Sequence, residues 1–297
     1  MRLRSTSHAI RQSPWTEEGS KAHPQALGQI LLELKALNAD QVDLVLDEQK
    51  KGGQLYGETA IALNLVEPAV IQRALEQQSR FTVLDPADKR IDPRVIAAFD
   101  PRDDFAQSIR ALRGSLASLR TGEGEPIKTI AIVGIETAPE CGIIAANLAV
   151  VCAQAGYRTI LVDANTDYAT HDRLFSVTNR AGVTSLLTNR MSGIETLQMT
   201  ALPNLAIIAA GPAVPNTAEM FERTLLFHRL HPLLGTHDFI IVDAATHAAE
   251  VAGSVCTGAD GILIAVKQNH SSTRELQTRI AQFEARGIPI IGTVFTN

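Results

Sequence analysis

The chain is short of cysteine, of aromatic side chains and of positive charge. Its three cysteines, Cys141, Cys152 and Cys256, are too few and odd in number for a disulfide framework. Aromatic residues make up 4% of 297 residues, which argues against the stacking platforms that hold single-stranded nucleic acid. Against 27 Lys and Arg stand 32 Asp and Glu, a net charge of -5, whereas a nucleic-acid binder carries a basic footprint. The same balance offers no basic patch to an anionic membrane. No apolar run reaches the ~18 residues of a membrane span. The opening MRLRSTSHAIRQSPW begins basic but has no apolar core behind it, unlike a secretory signal. The expectation is a cytoplasmic protein with no nucleic-acid partner and no direct membrane insertion. What remains is ordinary globular composition, 45% hydrophobic and 20% charged, which excludes a mostly disordered chain.

Residues 1–22 are polar and without period, and read as a disordered lead. A repeat of period 29 follows. Gly28 matches Gly57, Leu34 matches Leu63, Leu46 matches Leu75 and Gln49 matches Gln78. Apolar residues also match at Leu31/Ala60, Leu32/Ile61, Ala36/Leu65, Leu37/Val66, Val42/Ile71 and Val45/Ala74. The spacing in each copy fits two short helices joined by a turn. Asn38 and Asp40 can cap the second helix of the first copy, and Glu67-Pro68 opens its counterpart. One copy cannot bury its apolar face alone, but two stacked copies can. A small helical repeat domain is expected over 23–82. Residues 83–103 hold three prolines, Pro86, Pro93 and Pro101, and nine charges in an Asp-Pro rhythm. They read as a linker with one short helix around Arg94 to Phe99.

From residue 104 onward, helix and strand patterns alternate. Helices are expected at Phe105–Leu119, Gly142–Ala155, Thr217 to about Leu233, and Ser272–Ala285. Buried strands are expected at Ile127–Ile135, Tyr157–Asp163, Leu205–Ala210, Phe239–Asp243, Gly261–Val266 and Pro289–Phe295. Short, continuously apolar strands separated by helices mean an α/β fold, a mostly parallel sheet covered by helices. Such sheets bind ligands at the carboxyl ends of their strands. The first strand ends in Gly-Ile-Glu-Thr-Ala-Pro-Glu-Cys-Gly, residues 134–142, with a helix directly after. This is the place of a phosphate loop, which needs glycines to aim N–H groups, a lysine for the β/γ oxygens and a Ser or Thr for magnesium. The context is right and those side chains are absent.

Several motifs in fixed order carry a resemblance. They are Ala145-Ala146-Asn147-Leu148-Ala149, Ala153-Gln154-Ala155-Gly156, Thr159-Ile160-Leu161-Val162-Asp163-Ala164, Phe175, Asn179-Arg180-Ala181-Gly182-Val183 and Ser185-Leu186-Leu187. Ala210-Gly211-Pro212, Pro215-Asn216, Glu219, Phe239-Ile240-Ile241-Val242-Asp243 and Ala259-Asp260-Gly261 follow. Over roughly 104–297 the chain resembles the bacterial tyrosine kinases (BY-kinases) of capsule and exopolysaccharide synthesis, whose domain is P-loop NTPase-like. The repeat domain resembles the N-terminal domain of type II secretion and pilus ATPases. The combination is similar to the chain-length-determinant, EpsG-like subfamily.

The resemblance also shows what is missing. The family's Gly-Lys-Ser/Thr falls on Glu140, Cys141 and Gly142. Lysine and hydroxyl are gone, and a carboxylate stands where phosphate would sit, repelling an anion. The family's second motif keeps Asp163 but has Asn165 and Asp167 at its other two positions. The third keeps Asp243, while its Thr-Pro-Pro becomes Ala244-Ala245-Thr246. The tyrosine-rich tail that the family phosphorylates has no counterpart, since the tyrosines are Tyr56, Tyr157 and Tyr168. Arg110 and Arg113 fit the two arginines of the family's oligomerisation helix, with Gln107 in place of its glutamate.

The resemblance therefore implies a cytoplasmic pseudokinase-like scaffold or regulator of exopolysaccharide chain length, needing no cofactor. It would meet the inner membrane through a membrane chain-length-determinant partner, and it can form a homo-oligomer. The alternatives are a divergent tyrosine autokinase using Mg-ATP, with Asp163 and Asp243 as remnant metal ligands, and a cyclic-dinucleotide sensor. The sensor would use an arginine before the Leu-Gly of each repeat, but Ala26 and Leu55 stand there, so no bidentate phosphate clamp forms. Cys141 at a helix start reads as a drifted lysine position rather than a reactive thiol. His228 and His231, three apart, read as a solvated helix face rather than a metal site.

Overall fold

The computed structural model describes residues 27–28, 31–32, 34–52, 55–71, 74, 82–135, 140–245, 249–268 and 271–296. They divide into two compact units, the described residues up to Thr82 with Gln154–Gly156 in the smaller and the rest in the larger. The disordered lead expected at 1–22 lies outside the described residues.

In the smaller unit the sequence repeat is also a structural one. Leu27, Gly28, Leu31 and Leu32 are helical, and α1 (Ala39–Gly52) and α2 (Tyr56–Ala62) follow. Asn38 and Gln41 exchange hydrogen bonds at 2.9 Å each, the side chain of one to the N–H of the other, which fixes the start of α1. Pro68 is the first helical residue of its segment, where its missing N–H costs nothing. The repeat partners Leu31/Ala60, Leu37/Val66 and Val45/Ala74 all enter one core cluster. Lys35 and Asn64, also 29 apart, both adopt the left-handed conformation, with φ of 55° and 54°. The chain thus turns the same way at the same point of each copy. Gly28 and Gly57 are invariant between copies for a matching reason. A Cβ on Gly28 would lie 3.2 Å from Val42, and one on Gly57 would lie 2.9 Å from Ile71, the repeat equivalent of Val42.

The larger unit is a sheet of seven strands. Its elements run α3 (Asp104–Ala117), β1 (Thr129–Gly134), α4 (Glu140–Gln154), β2 (Thr159–Asp163), α5 (His171–Leu174), α6 (Val183–Leu187) and α7 (Gly193–Thr196). Then come β3 (Gln198–Met199), β4 (Leu205–Ile208), α8 (Thr217–Arg223), α9 (Leu226–Leu230), β5 (Phe239–Asp243), α10 (Ala249–Cys256), β6 (Gly261–Lys267), α11 (Thr273–Ala285) and β7 (Ile290–Thr296). The strand order is β3-β4-β2-β5-β1-β6-β7, parallel except for β3 against β4. Alternate residues feed two cores. Ile130, Ile132, Leu161, Ile241 and Leu263 pack on one face with α3 and α4. Ala131, Val133, Ile160, Val162, Ile240 and Ile262 pack on the other with α8–α11. That is why these strands read as unbroken apolar runs. The single helix expected from Thr217 to Leu233 is broken by Thr224 and Leu225, both extended, and gives way to a 3-10 turn at His231–Gly235 that contains Pro232.

Residues 83–103 do not form a free linker. Leu84, Ile91, Val95, Ala97 and Ala98 are buried in the core beneath α4. The Asp-Pro rhythm is a series of side-chain turns: Asp85, Asp88, Asp92 and Asp100 each accept the N–H two residues on, at 2.8–2.9 Å. Asn147 of α4 anchors the segment. Its Oδ1 accepts from Ala97 N–H at 2.9 Å, and its Nδ2 donates to the carbonyls of Arg94 and Ile143. Asn147→Ala would strand these buried groups, at about 1–3 kcal/mol for each one left unpaired. Urea unfolding followed by circular dichroism should show a loss of about 2 kcal/mol or more. A loss under about 0.5 kcal/mol, as for an ordinary surface change, would mean the anchor is unimportant.

Candidate functional site

Strands β2 and β5 are neighbours, and Asp163 pairs with Asp243 in register at their carboxyl ends. Each follows a wholly buried apolar strand, and both carboxylates are buried, 0% and 1% exposed. Two like charges side by side in the interior need partners. The turn after β2 supplies some of them. Asp163 Oδ1 accepts from Asn165 N–H at 3.2 Å, and Oδ2 accepts from Thr170 and His171 N–H at 3.0 and 3.1 Å. Asp243 Oδ1 accepts from Ala245 N–H at 3.1 Å. Its other oxygen, Oδ2, lies 3.0 Å from Nε2 of His171, a ring that is itself 0% exposed. His171 Nδ1 has no hydrogen-bond partner among the described residues.

The electrostatics follow from this geometry. Burial pushes Asp163 up to about 6, a rise that the Asp243 charge reinforces and that His171 and two backbone N–H groups oppose. Burial alone would favour neutral His171. The Asp163 charge, the bond to Asp243 and the charges of Asp243 and Asp172 outweigh it and raise its pKa above the ordinary value.

Glu140, Cys141 and Gly142 form the first turn of α4; residues 136–139 before them lie outside the described residues. Glu140 Oε1 meets Lys267 Nζ, from the last position of β6, at 3.0 Å. Cys141 is buried, and its thiol is held well above the usual range by burial and by the charges of Asp243 and Glu140. A reactive thiolate needs the opposite surroundings. A Cβ on Gly142 would sit 3.0 Å from Asp243 Oδ2, 3.3 Å from Thr170 Oγ1 and 3.9 Å from His171 Cε1.

Magnesium is the ion that the sequence resemblance implies. It takes an octahedron of oxygens. Gly142 brings no hydroxyl oxygen, and an imidazole rather than an oxygen faces Asp243. These residues do not fit the ion.

The other sequence candidates lie apart from this cluster. Gln107 donates to Arg102 carbonyl at 2.8 Å and Arg110 to Pro101 carbonyl at 2.7 Å, so both tie α3 to the segment before it. Arg113, one turn on, is half-buried. His228 and His231 are exposed. Among the described residues the one His/Cys/Asp/Glu group close enough to share an ion is Asp163, His171 and Asp243. Sequence reasoning missed His171 and Lys267. The signal for Lys267 was a charge closing an apolar strand at the sheet's ligand-binding edge. For His171 there was none beyond its place eight residues after Asp163.

No family model matches the chain. CapB of Staphylococcus aureus, named as a tyrosine-protein kinase, is 29% identical over 143 residues, 48% of this chain and 62% of CapB. The tyrosine-protein kinase ptk of Acinetobacter johnsonii is 24% identical over 79% of this chain and 32% of its own length. The chain's homologues are bacterial tyrosine kinases of the BY-kinase family. The kinase domain of Escherichia coli ETK superposes with a TM-score of 0.64 at 22% identity, covering 73% of this chain and 84% of that one. The fold is therefore that of BY-kinase domains, P-loop NTPase-like, while the chain spans less than two thirds of the first relatives' length. No described helix is long and apolar enough to cross a membrane.

The raised values predict how stability depends on pH. A histidine raised on folding contributes stability that is fully present below ~6.5 and lost as pH climbs through its folded value. Asp163 has the same sign: an acid raised to about 6 costs the native state stability as pH rises from the ordinary carboxylate range toward that value. The melting temperature should fall as pH rises above ~6.5, more steeply in the wild type than in His171→Asn. Equal slopes in the two proteins would show that His171 is not the group responsible.

Proposed function

We propose that this chain is a pseudokinase-like regulatory or scaffold component of exopolysaccharide biosynthesis and chain-length control. The observation that carries the reading is the start of α4. In a working phosphate loop this turn offers lysine and a hydroxyl to triphosphate. Here it offers the Glu140 carboxylate, already paired with Lys267, and a bare Gly142. Phosphoryl transfer is almost entirely positioning and charge stabilisation, and this turn supplies neither. The homologues named as capsule and exopolysaccharide tyrosine kinases support the system in which it works. A membrane chain-length-determinant protein is the partner that reading implies, with the chain on the cytoplasmic side of the inner membrane. A homo-oligomer through α3 is part of it.

One observation favours a second reading. Lys267 reaches the α4 start from β6, so a divergent autokinase could use it in place of the loop lysine. Against this, the Glu140 carboxylate stands at the same turn, so the net charge that Lys267 and Glu140 together would offer a phosphate is zero. Isothermal titration of the full chain with ATP and magnesium should give no saturable heat. Binding in the low micromolar range would overturn the scaffold reading. If radiolabelled ATP then marked the chain and the label vanished in Lys267→Met, the autokinase reading would replace it.

A further inference from the structure

We infer that the His171 imidazole is a built-in occupant of the position between Asp163 and Asp243, closing it to a divalent cation. Three observations converge. First, Asp163 and Asp243 sit in register at adjacent strand ends, buried, with three and one backbone N–H groups respectively satisfying part of their lone pairs. What is left faces inward and calls for positive charge or a donor. Second, the His171 ring meets that need, with Nε2 3.0 Å from Asp243 Oδ2, while its own backbone N–H binds Asp163 Oδ2 at 3.1 Å. One residue therefore touches both carboxylates, through two different donors.

Third, the opposite wall is a glycine. A side chain on Gly142 would press on Asp243 Oδ2, the oxygen that holds the ring, and on Thr170 Oγ1, while meeting the ring itself at an ordinary contact distance of 3.9 Å. A residue with a hydroxyl at this point of α4 would thus crowd the carboxylate oxygen that the ring is bonded to. Gly142 and the His171 ring are therefore linked through one oxygen, Asp243 Oδ2.

The consequence is a site fixed without metal. The turn 164–170 is fastened to Asp163 at its end, and β2 is fastened to β5 through His171, so this end of the sheet needs no ion to hold its shape. This inference concerns the cation alone and stands apart from the scaffold reading, which fails on ATP binding and not on metal binding.

The test uses the full chain and Mn2+, followed by electron paramagnetic resonance of the free ion. The wild type should take up no Mn2+ in a saturable way. His171→Ala, which leaves Asp243 Oδ2 without its donor while the backbone N–H groups on Asp163 remain, should bind one Mn2+ saturably. Asp243→Asn added to that variant should abolish the gain. Saturable binding by the wild type that weakens in His171→Ala would make His171 a ligand and overturn the inference. So would a folded His171→Ala that binds nothing.

A second measurement needs no variant. The ring 15N resonances of His171 in the wild type should not move with one equivalent of Zn2+ or with millimolar Mg2+. A shift at one equivalent overturns the inference whether or not the alanine variant folds. A third measurement separates packing from charge. Gly142→Ser should lower the melting temperature in the wild type and do so much less in the His171→Ala background. Equal losses would show that the glycine and the ring are not coupled.

Discussion

Two carboxylates at the ends of adjacent buried strands constrain everything around them. Neither can be left without partners in a low-dielectric interior, where an unpaired charge costs several kcal/mol. Asp163 and Asp243 are held in register by the ladder between β2 and β5, so they cannot move apart. The turn after β2 curls back to deliver N–H groups to Asp163, and one side chain reaches Asp243 Oδ2. His171 is that side chain. Its burial and the fold-back of 164–170 answer one electrostatic requirement.

The motif residues that carry the resemblance divide into two sets. Those that place backbone are intact. Asn147 stitches the 94–97 segment under α4. Asp260 accepts from Lys128 and Thr129 N–H at 2.8 Å and so sets β1 against β6. Gly182 packs so closely on Ala209 carbonyl that any Cβ would collide with it, and Asn179 accepts from Gly211 N–H at 2.7 Å. Where the resemblance would put a phosphate-gripping lysine and hydroxyl, the chain has Cys141 and Gly142. The two sets respond to different constraints. A fold fails when a buried N–H or carbonyl loses its partner, whereas nothing in the packing of this sheet requires a lysine at position 141. Cys141 fills that place as a small buried hydrophobe.

Most of the architecture was legible, because parallel strands buried on both faces have only one appearance in sequence. Phe239–Asp243 is the clearest case, five apolar or terminal positions that coincide with β5. The repeat at period 29 was legible down to its glycines. What escaped was whatever depends on contacts distant in the chain. The segment 83–103 has the composition of a linker, yet its apolar residues are spaced to reach α4, about 50 positions away. The short antiparallel β3 is two residues long and leaves no pattern. At the site, Asp163 and Asp243 were found because acids at the ends of apolar strands are conspicuous. His171 was not, because a single histidine in a polar turn looks the same whether it faces water or a buried carboxylate. Only the fold-back of 164–170 distinguishes the two.

That fold-back bears on how the protein works. In a nucleotide switch, ligand and metal hold the loops at the sheet's carboxyl edge, and their departure releases them. Here the holding groups belong to the chain itself. Thr170 and His171 are fastened to Asp163 by their own N–H groups, and the ring is fastened to Asp243. A ligand shifts an equilibrium only by its difference in affinity for two states. Under the scaffold proposal these internal bonds stand in for ligand and metal, and nucleotide would have no second state to select. On the reading proposed for this chain, a partner would then meet one surface at all times, and the signal for assembly would be the presence of the protein rather than the phosphate state of a ligand.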